Sequence, residues 1–442
     1  MTRNPAATRA QGLILLLGVL LGSALLAAQA PAPPAPRVSR EGQACVECHA
    51  SMNPGIVAQW RGSAHARGGV DCYSCHRAQE GDPAAFDHYD RRITVIVTPN
   101  YCAPCHDQEA REFAASHHAR AAQFIGSLDN MLGEIVEGGP AAQNGCRQCH
   151  GSEVVSLGDG KFDPATWPNS GIGRVNPDGS RGTCAACHGR HAFSSAQARQ
   201  PENCGKCHMG PDHPQAEIYN ESKHGIQFRA HINDMNLQSK TWVVGKDYWA
   251  APTCATCHMS ATANQPITHD AGARIGYTLR PVISYKLENW EARQNAMKDV
   301  CSACHQAGWV DNFYAQYDAT IELYNNKFAA PAKAIMDQLY AEKKLTPTPF
   351  DDKIEWTYYE LWHHEGRRAR MGTAMMGPDF TQWHGFYEVA KHFYNKFLPE
   401  AEELSPGITA ALLATDEHRW KKGLTPEEIK NVLEFYKKRY GQ

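Results

Sequence analysis

The residues with the most specific chemistry in this sequence are its cysteines, because all 16 occur in eight copies of the pattern Cys-x-x-Cys-His. Two thiols at this spacing bond covalently to the vinyl groups of one porphyrin, and the histidine that follows binds its iron from one face. The sequence therefore predicts eight covalently bound c-type haems. The cysteine pairs are Cys45/Cys48, Cys72/Cys75, Cys102/Cys105, Cys146/Cys149, Cys184/Cys187, Cys204/Cys207, Cys254/Cys257 and Cys301/Cys304. The histidines that follow them are His49, His76, His106, His150, His188, His208, His258 and His305.

Paired cysteines have two other common uses, which are structural zinc sites and disulfides in an exported chain. Neither use needs a histidine directly after each second cysteine. Histidine is only 22 of the 442 residues, so its presence at every one of these positions is far from chance. The haem interpretation is therefore preferred.

The density of the motifs constrains the fold that positions them. Eight motifs fall between residues 45 and 305, or one haem per roughly 33 residues, which is too dense for each haem to have its own domain. We expect the porphyrins to supply much of the interior and to lie close to one another. The fold class expected is mainly α, a multihaem cytochrome c with a loop-rich, haem-packed core and a C-terminal helical domain.

After the last motif, apolar and aromatic residues recur at helical spacing. The stripe Phe313, Tyr317, Ile321 and Tyr324 is expected to be a packing face, and Pro331 is expected to kink the helix that carries it. Thr425 is the expected N-cap of the last helix, with Glu428 completing a capping box. Helices are predicted over 311–344, 351–371, 379–397 and 426–440.

The N-terminus is typical of an export signal. Arg3 and Arg9 precede an apolar run of 17 residues, Gly12 to Ala28, and small residues follow it. An uncleaved membrane anchor is the alternative. Either places the protein in the periplasm or another extracytoplasmic compartment. The formal charge of −3 gives no basic excess for binding nucleic acid. The domains predicted are a signal peptide (1–30), a Pro-rich linker (31–40), an octahaem domain (41–310) and a helical domain (311–442).

The histidines outside the motifs are candidates for the second ligand of each electron-transfer iron. A weak Ser-x-His-small repeat selects His65, His118 and His224. Three more candidates, His88, His191 and His269, lie in the haem-dense part of the chain, and His231 is the seventh choice. Four histidines of the helical tail, His363, His364, His392 and His418, are expected to be ordinary exposed residues.

One Asp-His pair stands out because two prolines enclose it, in Gly210-Pro211-Asp212-His213-Pro214. A carboxylate can orient an imidazole, which then relays protons to a bound small molecule. The alternative is a turn with a solvated Asp212 and His213.

The chain resembles the hydroxylamine oxidoreductase family of octahaem cytochromes c over nearly its whole mature length. Besides the motifs, the resemblance rests on residues 187–194, 201–214, 218–225 and 366–388. It implies that the haem on Cys146, Cys149 and His150 is the open, catalytic one, with Asp212 and His213 on its distal side. It also implies seven bis-histidine haems, a homotrimer, and a redox partner that is a cytochrome or a quinol-linked protein.

The resemblance has one departure that bears on the direction of the reaction. Oxidising family members carry a tyrosine from the neighbouring subunit, bonded to the catalytic porphyrin, and here its place after Gly-Pro-Asp is taken by Phe380. Without that bond, the resemblance implies reduction of nitrite or nitric oxide. Tyr387 is a possible substitute, which keeps oxidation of hydroxylamine or hydrazine as the alternative. A pure electron-transfer cytochrome is the other class. Related reductases with lysine after one motif are disfavoured, because all eight motifs here end in histidine.

Overall fold

The computed structural model describes residues 37–125 and 131–441. The expected signal segment and most of the Pro-rich linker lie outside these residues. The described part is mainly α-helical, as predicted, and its strands form three small two-stranded sheets. None of the helices in the described ranges is both long enough and apolar enough to cross a membrane.

The part of the chain that carries the motifs is built from short helices joined by long connections. The longest of them are Arg40–Met52 and Trp290–Ser302, with 13 residues each. The others are Pro54–Arg61, Ala64–Arg67, Cys72–His76, Pro99–Cys102, Asp107–Ala115, Gly139–Asn144, Cys146–His150, Ser195–Ala198, Pro201–Gly205, Gln215–Glu221, Lys223–Ala230 and Cys254–His258. Further single turns are His118–Ile125, Met131–Val136, Cys184–Ala186 and Ile232–Met235.

Several motifs are themselves single helical turns. The turn Cys72–His76 begins at its first cysteine, because Asp71 caps it and Ser74 completes a capping box. Thr253 and Thr256 do the same for the turn Cys254–His258. In a helix, residues three and four positions apart share one face. A helical Cys-x-x-Cys-His turn therefore presents both thiols and the imidazole to the same side.

The three sheets are hairpins between motifs. The first, Phe86–His88 against Arg91–Ile93, carries a distal-ligand candidate at its tip, next to Tyr89 with a φ of 56°. The other two are Ser156–Gly158 with Lys161–Phe162, and Tyr277–Thr278 with Tyr285–Lys286.

The C-terminal part has longer helices with π-helical turns inserted between them. The first predicted helix begins earlier than expected, and a π turn interrupts it just before Pro331. The predicted stripe is buried at Tyr317, Ile321 and Tyr324. The α-helices are Ala307–Tyr324, Ala330–Ala341, Lys353–Tyr359, Gly366–Ala374, Pro378–Thr381, Glu388–His392, Leu398–Leu404 and Pro426–Tyr440. The π turns are Asn325–Ala329, Glu360–Glu365, Gln382–Tyr387 and Phe393–Phe397, and the 3₁₀ turns are Leu412–Ala414 and Arg419–Lys422.

The predicted N-cap of the last helix is confirmed. The Thr425 hydroxyl accepts from the Glu428 backbone N–H, and the Glu428 carboxylate reaches back to Thr425, so the capping box is complete.

Close approach of two helices fixes the position of the Gly366–Ala374 helix. A Cβ on Gly372 would lie 2.8 Å from the backbone carbon of Phe380. A Cβ on Gly385 would lie 2.6 Å from the Cα of Ala369. Only glycine fits at either position, so this helix is held tightly against the segment that comes after it.

The expectation that the tail histidines are ordinary exposed residues is wrong. His363 is 4% exposed and His418 is fully buried. Their rings bond the hydroxyls of Tyr359 and Tyr394, at 3.1 and 2.8 Å respectively. Their burial comes from packing within the helical part, which position along the chain does not reveal.

Candidate haem-binding and catalytic site

The haem-attachment residues surround one continuous cavity of about 3580 Å³. Every motif cysteine and every motif histidine lines this cavity. Pockets for ordinary small molecules have volumes of roughly 300–1,000 Å³. The cavity therefore has room for several large prosthetic groups.

The two other uses of paired cysteines do not fit the structure. No disulfide forms among the 16 cysteines, all of which lie in the described ranges. Nor do the described residues contain a group of three or more His, Cys, Asp or Glu side chains that could hold a metal ion unaided. The residues present fit haem, which brings its own four equatorial ligands.

Histidine rings meet in pairs around the cavity. Two imidazoles bound to opposite faces of one iron, each with a metal–nitrogen bond of about 2 Å, have ring centroids roughly 6 Å apart. Five motif histidines have a non-motif histidine at this separation. The pairs are His49–His88 (6.3 Å), His106–His65 (6.1 Å), His76–His191 (6.3 Å), His208–His118 (6.0 Å) and His305–His224 (6.2 Å). His208 has a second histidine at this separation, His213 at 6.1 Å.

The Ser-x-His repeat has a structural cause. Ser63 and Ser222 are helix N-caps, and their hydroxyls accept from the backbone N–H three residues on. The Ser116 hydroxyl accepts in the same way from Ala119, at 3.5 Å. In each case the histidine two residues after the serine lies in the first helical turn and faces the cavity.

The remaining distal-ligand candidates are located by charge effects and by contacts of nearby backbone, and not by a distance between rings. Burial and then the charge of His269 lower the pKa of His188, and both side chains line the cavity. For His258, the Nδ1 atom is 3.0 Å from the Ala271 carbonyl. Next to this loop lies His117, whose Cδ2 atom would be 3.5 Å from a Cβ on Gly272. The Ser-x-His repeat selects His118 and not His117, which directly precedes it.

His231 lies elsewhere. Its side chain is 47% exposed, and its Nδ1 is 3.1 Å from Asp234. The structure does not bring it to a motif histidine among the described residues. His231 follows the end of the Lys223–Ala230 helix, which positions His224 at its other end.

Burial keeps several of the motif imidazoles in the form that binds metal. It lowers the pKa of both His188 and His208 to about 4. Burial lowers the pKa of His258 as well. A neutral imidazole has the lone pair that an iron ligand needs.

Asp212 and His213 form a bonded pair on the cavity wall. Gly210, with a φ of 100°, turns the chain, and Pro214 starts the next helix, so the pair is held between two fixed points. The His213 Nδ1 is 2.5 Å from the Asp212 Oδ1. The interpretation as a solvated turn does not fit, since the two side chains are only 26% and 29% exposed.

The two groups shift each other's pKa values. Burial would raise the pKa of Asp212, but the hydrogen bond from His213 and nearby positive charges lower it below its usual range. Burial would lower the pKa of His213, but Asp212 raises it. The pair therefore favours carboxylate and imidazolium. The His213 ring is 6.1 Å from the ring of His208 in the sixth motif, and the His213 charge also acts on the Cys149 thiol of the fourth motif.

The helical part of the chain contributes side chains that the sequence did not reveal. The Arg367 Nη1 is 3.4 Å from the Asp212 Oδ2. Tyr359, His363 and His364 line the same cavity, and the charges of His363 and Arg367 act on Asp212. The one signal in the sequence was the conspicuous stretch 366–388, which includes Arg367.

The structure also locates the two residues that bear on the tyrosine cross-link. Phe380 is 9% exposed and packs inside its own chain against Ile218 and Met371. Tyr387 is 49% exposed, with its ring 5.4 Å from that of Trp383. Of the two positions, Tyr387 is the one that faces outward.

Comparison with known proteins relates the chain to multihaem cytochromes. The family described as "Seven times multi-haem cytochrome CxxCH" matches residues 173–349, which hold the last four motifs. A probable nitrite reductase-hydroxylamine oxidoreductase fusion protein of Kuenenia stuttgartiensis is 26% identical over 354 residues, or 69% of this chain. The match spans 38% of the length of that curated relative.

Two solved structures share the fold. A hypothetical multiheme protein is 26% identical, with a TM-score of 0.75, and the match covers 86% of this chain and 98% of that one. A reducing HAO-like protein complex of Kuenenia stuttgartiensis is 22% identical, with a TM-score of 0.63, and the match covers 84% of this chain and 87% of that one.

Proposed function

We propose that this chain is a multihaem cytochrome c of the hydroxylamine oxidoreductase-like group, and that it is an exported oxidoreductase for a small nitrogen compound. In this proposal all eight motifs carry a haem, and the haem held by Cys146, Cys149 and His150 takes the substrate. The observation that supports this most is the buried Asp212–His213–Arg367 group beside Cys149.

The roles of the residues follow from their contacts. When bound, the haem supplies an iron that takes a ligand and exchanges electrons. Asp212 accepts from Nδ1–H of His213 and so leaves Nε2 to give or take a proton at the substrate. The distal histidines proposed are His65, His88, His118, His191, His224 and His269, with His117 in place of His231.

Contacts between motifs support an electron path. The thiol of Cys149 in the fourth motif is hydrogen-bonded to that of Cys207 in the sixth. The two attachment segments are therefore adjacent. A reaction of several electrons needs such a neighbour, and through it a redox partner such as a cytochrome or a quinol-linked protein.

For direction, we propose reduction of nitrite or nitric oxide, because Phe380 has no phenol oxygen to bond the porphyrin. The location proposed is the periplasm or another extracytoplasmic compartment, and the assembly proposed is a homotrimer. Oxidation of hydroxylamine or hydrazine is the second candidate, favoured by the outward-facing Tyr387. The reduced optical spectrum separates the two, since a tyrosine-modified haem adds a red-shifted band. That band would overturn the reductive direction.

The variant Asp212→Asn tests the site. We expect it to lower kcat for nitrite reduction by about 10²-fold or more, because His213 loses its orienting carboxylate. The matched control is Asp234→Asn, which breaks the exposed His231–Asp234 contact and leaves kcat within about twofold. Equal turnover of the parent protein and Asp212→Asn would contradict the assignment.

Electron paramagnetic resonance of the haem-loaded protein tests whether any haem is open. We expect the signal of one haem to change when nitrite is added and the others to remain low-spin. Eight low-spin haems that are indifferent to nitrite would make the protein a pure electron-transfer cytochrome.

A further inference from the structure

We propose that Arg367 is a positioning residue that offsets the charge of Asp212, and that it thereby makes this site select an anionic substrate, nitrite, over neutral nitrogen compounds. This inference rests on the proposed function and narrows its substrate class. It concerns a residue of the helical part of the chain, far in sequence from the Asp-His pair.

The contacts divide the Asp212 carboxylate between two partners. Its Oδ1 faces His213 Nδ1 at 2.5 Å, and its Oδ2 faces Arg367 Nη1 at 3.4 Å. The Arg367 side chain is only 12% exposed. Both oxygens of the carboxylate are thus directed to groups of the protein.

Arg367 is held independently of Asp212. Its Nε donates to the Arg280 carbonyl at 3.0 Å, and its guanidinium lies 5.3 Å from the centre of the Trp362 ring. The helix that carries it is fixed by the close packing at Gly372. The guanidinium therefore stays in place when the carboxylate changes.

The charges then decide which ligand can approach. Asp212 alone would repel an anion, and at distances of a few ångströms in a partly buried site that repulsion is large. The imidazolium of His213 offsets part of this repulsion but can lose its proton, whereas Arg367 keeps its positive charge at any working pH. His364 does not replace Arg367 in this role, because burial lowers the pKa of His364 to about 4 and leaves it neutral. The binding of a neutral ligand such as nitric oxide does not depend on these charges.

The chain offers a matched control in the next residue. Arg368 is on the same helix, but its Nη2 is 2.8 Å from the Glu388 carboxylate, away from Asp212. Replacing Arg368 removes the same charge from the same helix without touching the Asp-His pair.

The test measures ligand binding to the oxidised, haem-loaded protein by optical titration and by electron paramagnetic resonance. The probes are sodium nitrite and nitric oxide. We expect Arg367→Gln to weaken nitrite binding by about tenfold or more, and to change nitric oxide binding by less than about twofold. We expect Arg367→Lys to keep nitrite binding within about threefold, since the charge remains. Arg368→Gln should leave both affinities unchanged.

The variant Asp212→Asn removes a charge pair and not a single charge, because His213 loses the carboxylate that raises its pKa. Since Arg367 stays in place, nitrite binding should stay within about threefold even as turnover falls. Equal effects of Arg367→Gln on both ligands, or no effect on nitrite, would overturn the inference while the proposed function stands. A parent protein that binds neither ligand would overturn both.

Discussion

The two parts of the molecule are stabilised in different ways. Between residues 40 and 305, most helices are short and surround a cavity of about 3580 Å³. Between 307 and 404, the helices share a continuous apolar core in which Leu339, Phe393 and Phe397 are fully buried. The first part depends on the groups it binds, whereas the second is a scaffold that packs on itself. The contact of Arg367 with Asp212 joins them.

Removing the haems is expected to produce the largest difference in stability between the two parts. Isolated helices shorter than about 12 residues are marginal in water, so the motif segments need the porphyrins as their interior. In protein produced without haem attachment, we expect protease to cut within 40–305 more than about tenfold faster than within 307–404. Limited proteolysis with mass spectrometry measures this.

The haem-loaded protein is the control for that experiment, and it should resist cleavage in both parts. Equal cleavage rates in the two parts of the haem-free protein would show that the helical part also depends on haem.

A core substitution in the helical part is expected to have the next largest effect. Phe393 is fully buried, with its ring 5.5 Å from that of Phe328. Phe393→Ala should lower the free energy of unfolding by about 3–5 kcal/mol. Phe435→Ala, at a position that is 53% exposed, should cost less than about 0.5 kcal/mol.

Thermal unfolding followed by far-ultraviolet circular dichroism and by haem absorbance measures both variants. The contrast predicts that Phe393→Ala moves the circular dichroism transition more than the haem transition. Identical shifts would make the molecule one cooperative unit.

A smaller effect comes from a buried carboxyl of the helical part. Burial raises the pKa of Glu365 from 4.5 to about 8, and the neutral acid bonds His392. Because the folded-state pKa is the higher one, this contribution to stability is fully present below about pH 4.5 and is lost as the pH rises through about 8.

Glu365→Gln copies the neutral acid and removes that loss. We expect the melting temperature of the variant, relative to the parent, to rise steadily between about pH 5 and about pH 8 and to level off above that. Glu434→Gln, on an exposed helix, is the control and should show no such trend. A flat difference for Glu365→Gln would mean that Glu365 is already ionised at low pH.

Much of the fold was predictable because its signals are local. The Cys-x-x-Cys-His pattern, the Thr425 cap and the Ser-x-His repeat each depend on residues within a few positions of one another. The repeat located His65 and His224 because a serine N-cap fixes the histidine two residues later.

The rest depends on information that short windows do not contain. His363 lies inside the π turn Glu360–Glu365 and is buried, and its place in the helical tail does not show which side of that turn faces the interior. The contact of Arg367 with Asp212 joins positions 155 residues apart. Neither periodicity nor a motif reveals such a pairing.

The thiol contacts between motifs show that order along the chain is not order in space. Cys102 meets Cys184, Cys149 meets Cys207, and Cys204 meets Cys254. Each contact bridges a long stretch of polypeptide, so none of these five motifs forms a module with its own segment alone. Such an array cannot be lengthened or shortened by adding or deleting a repeat at one end. The motifs must therefore change together if the arrangement of the haems is to be kept.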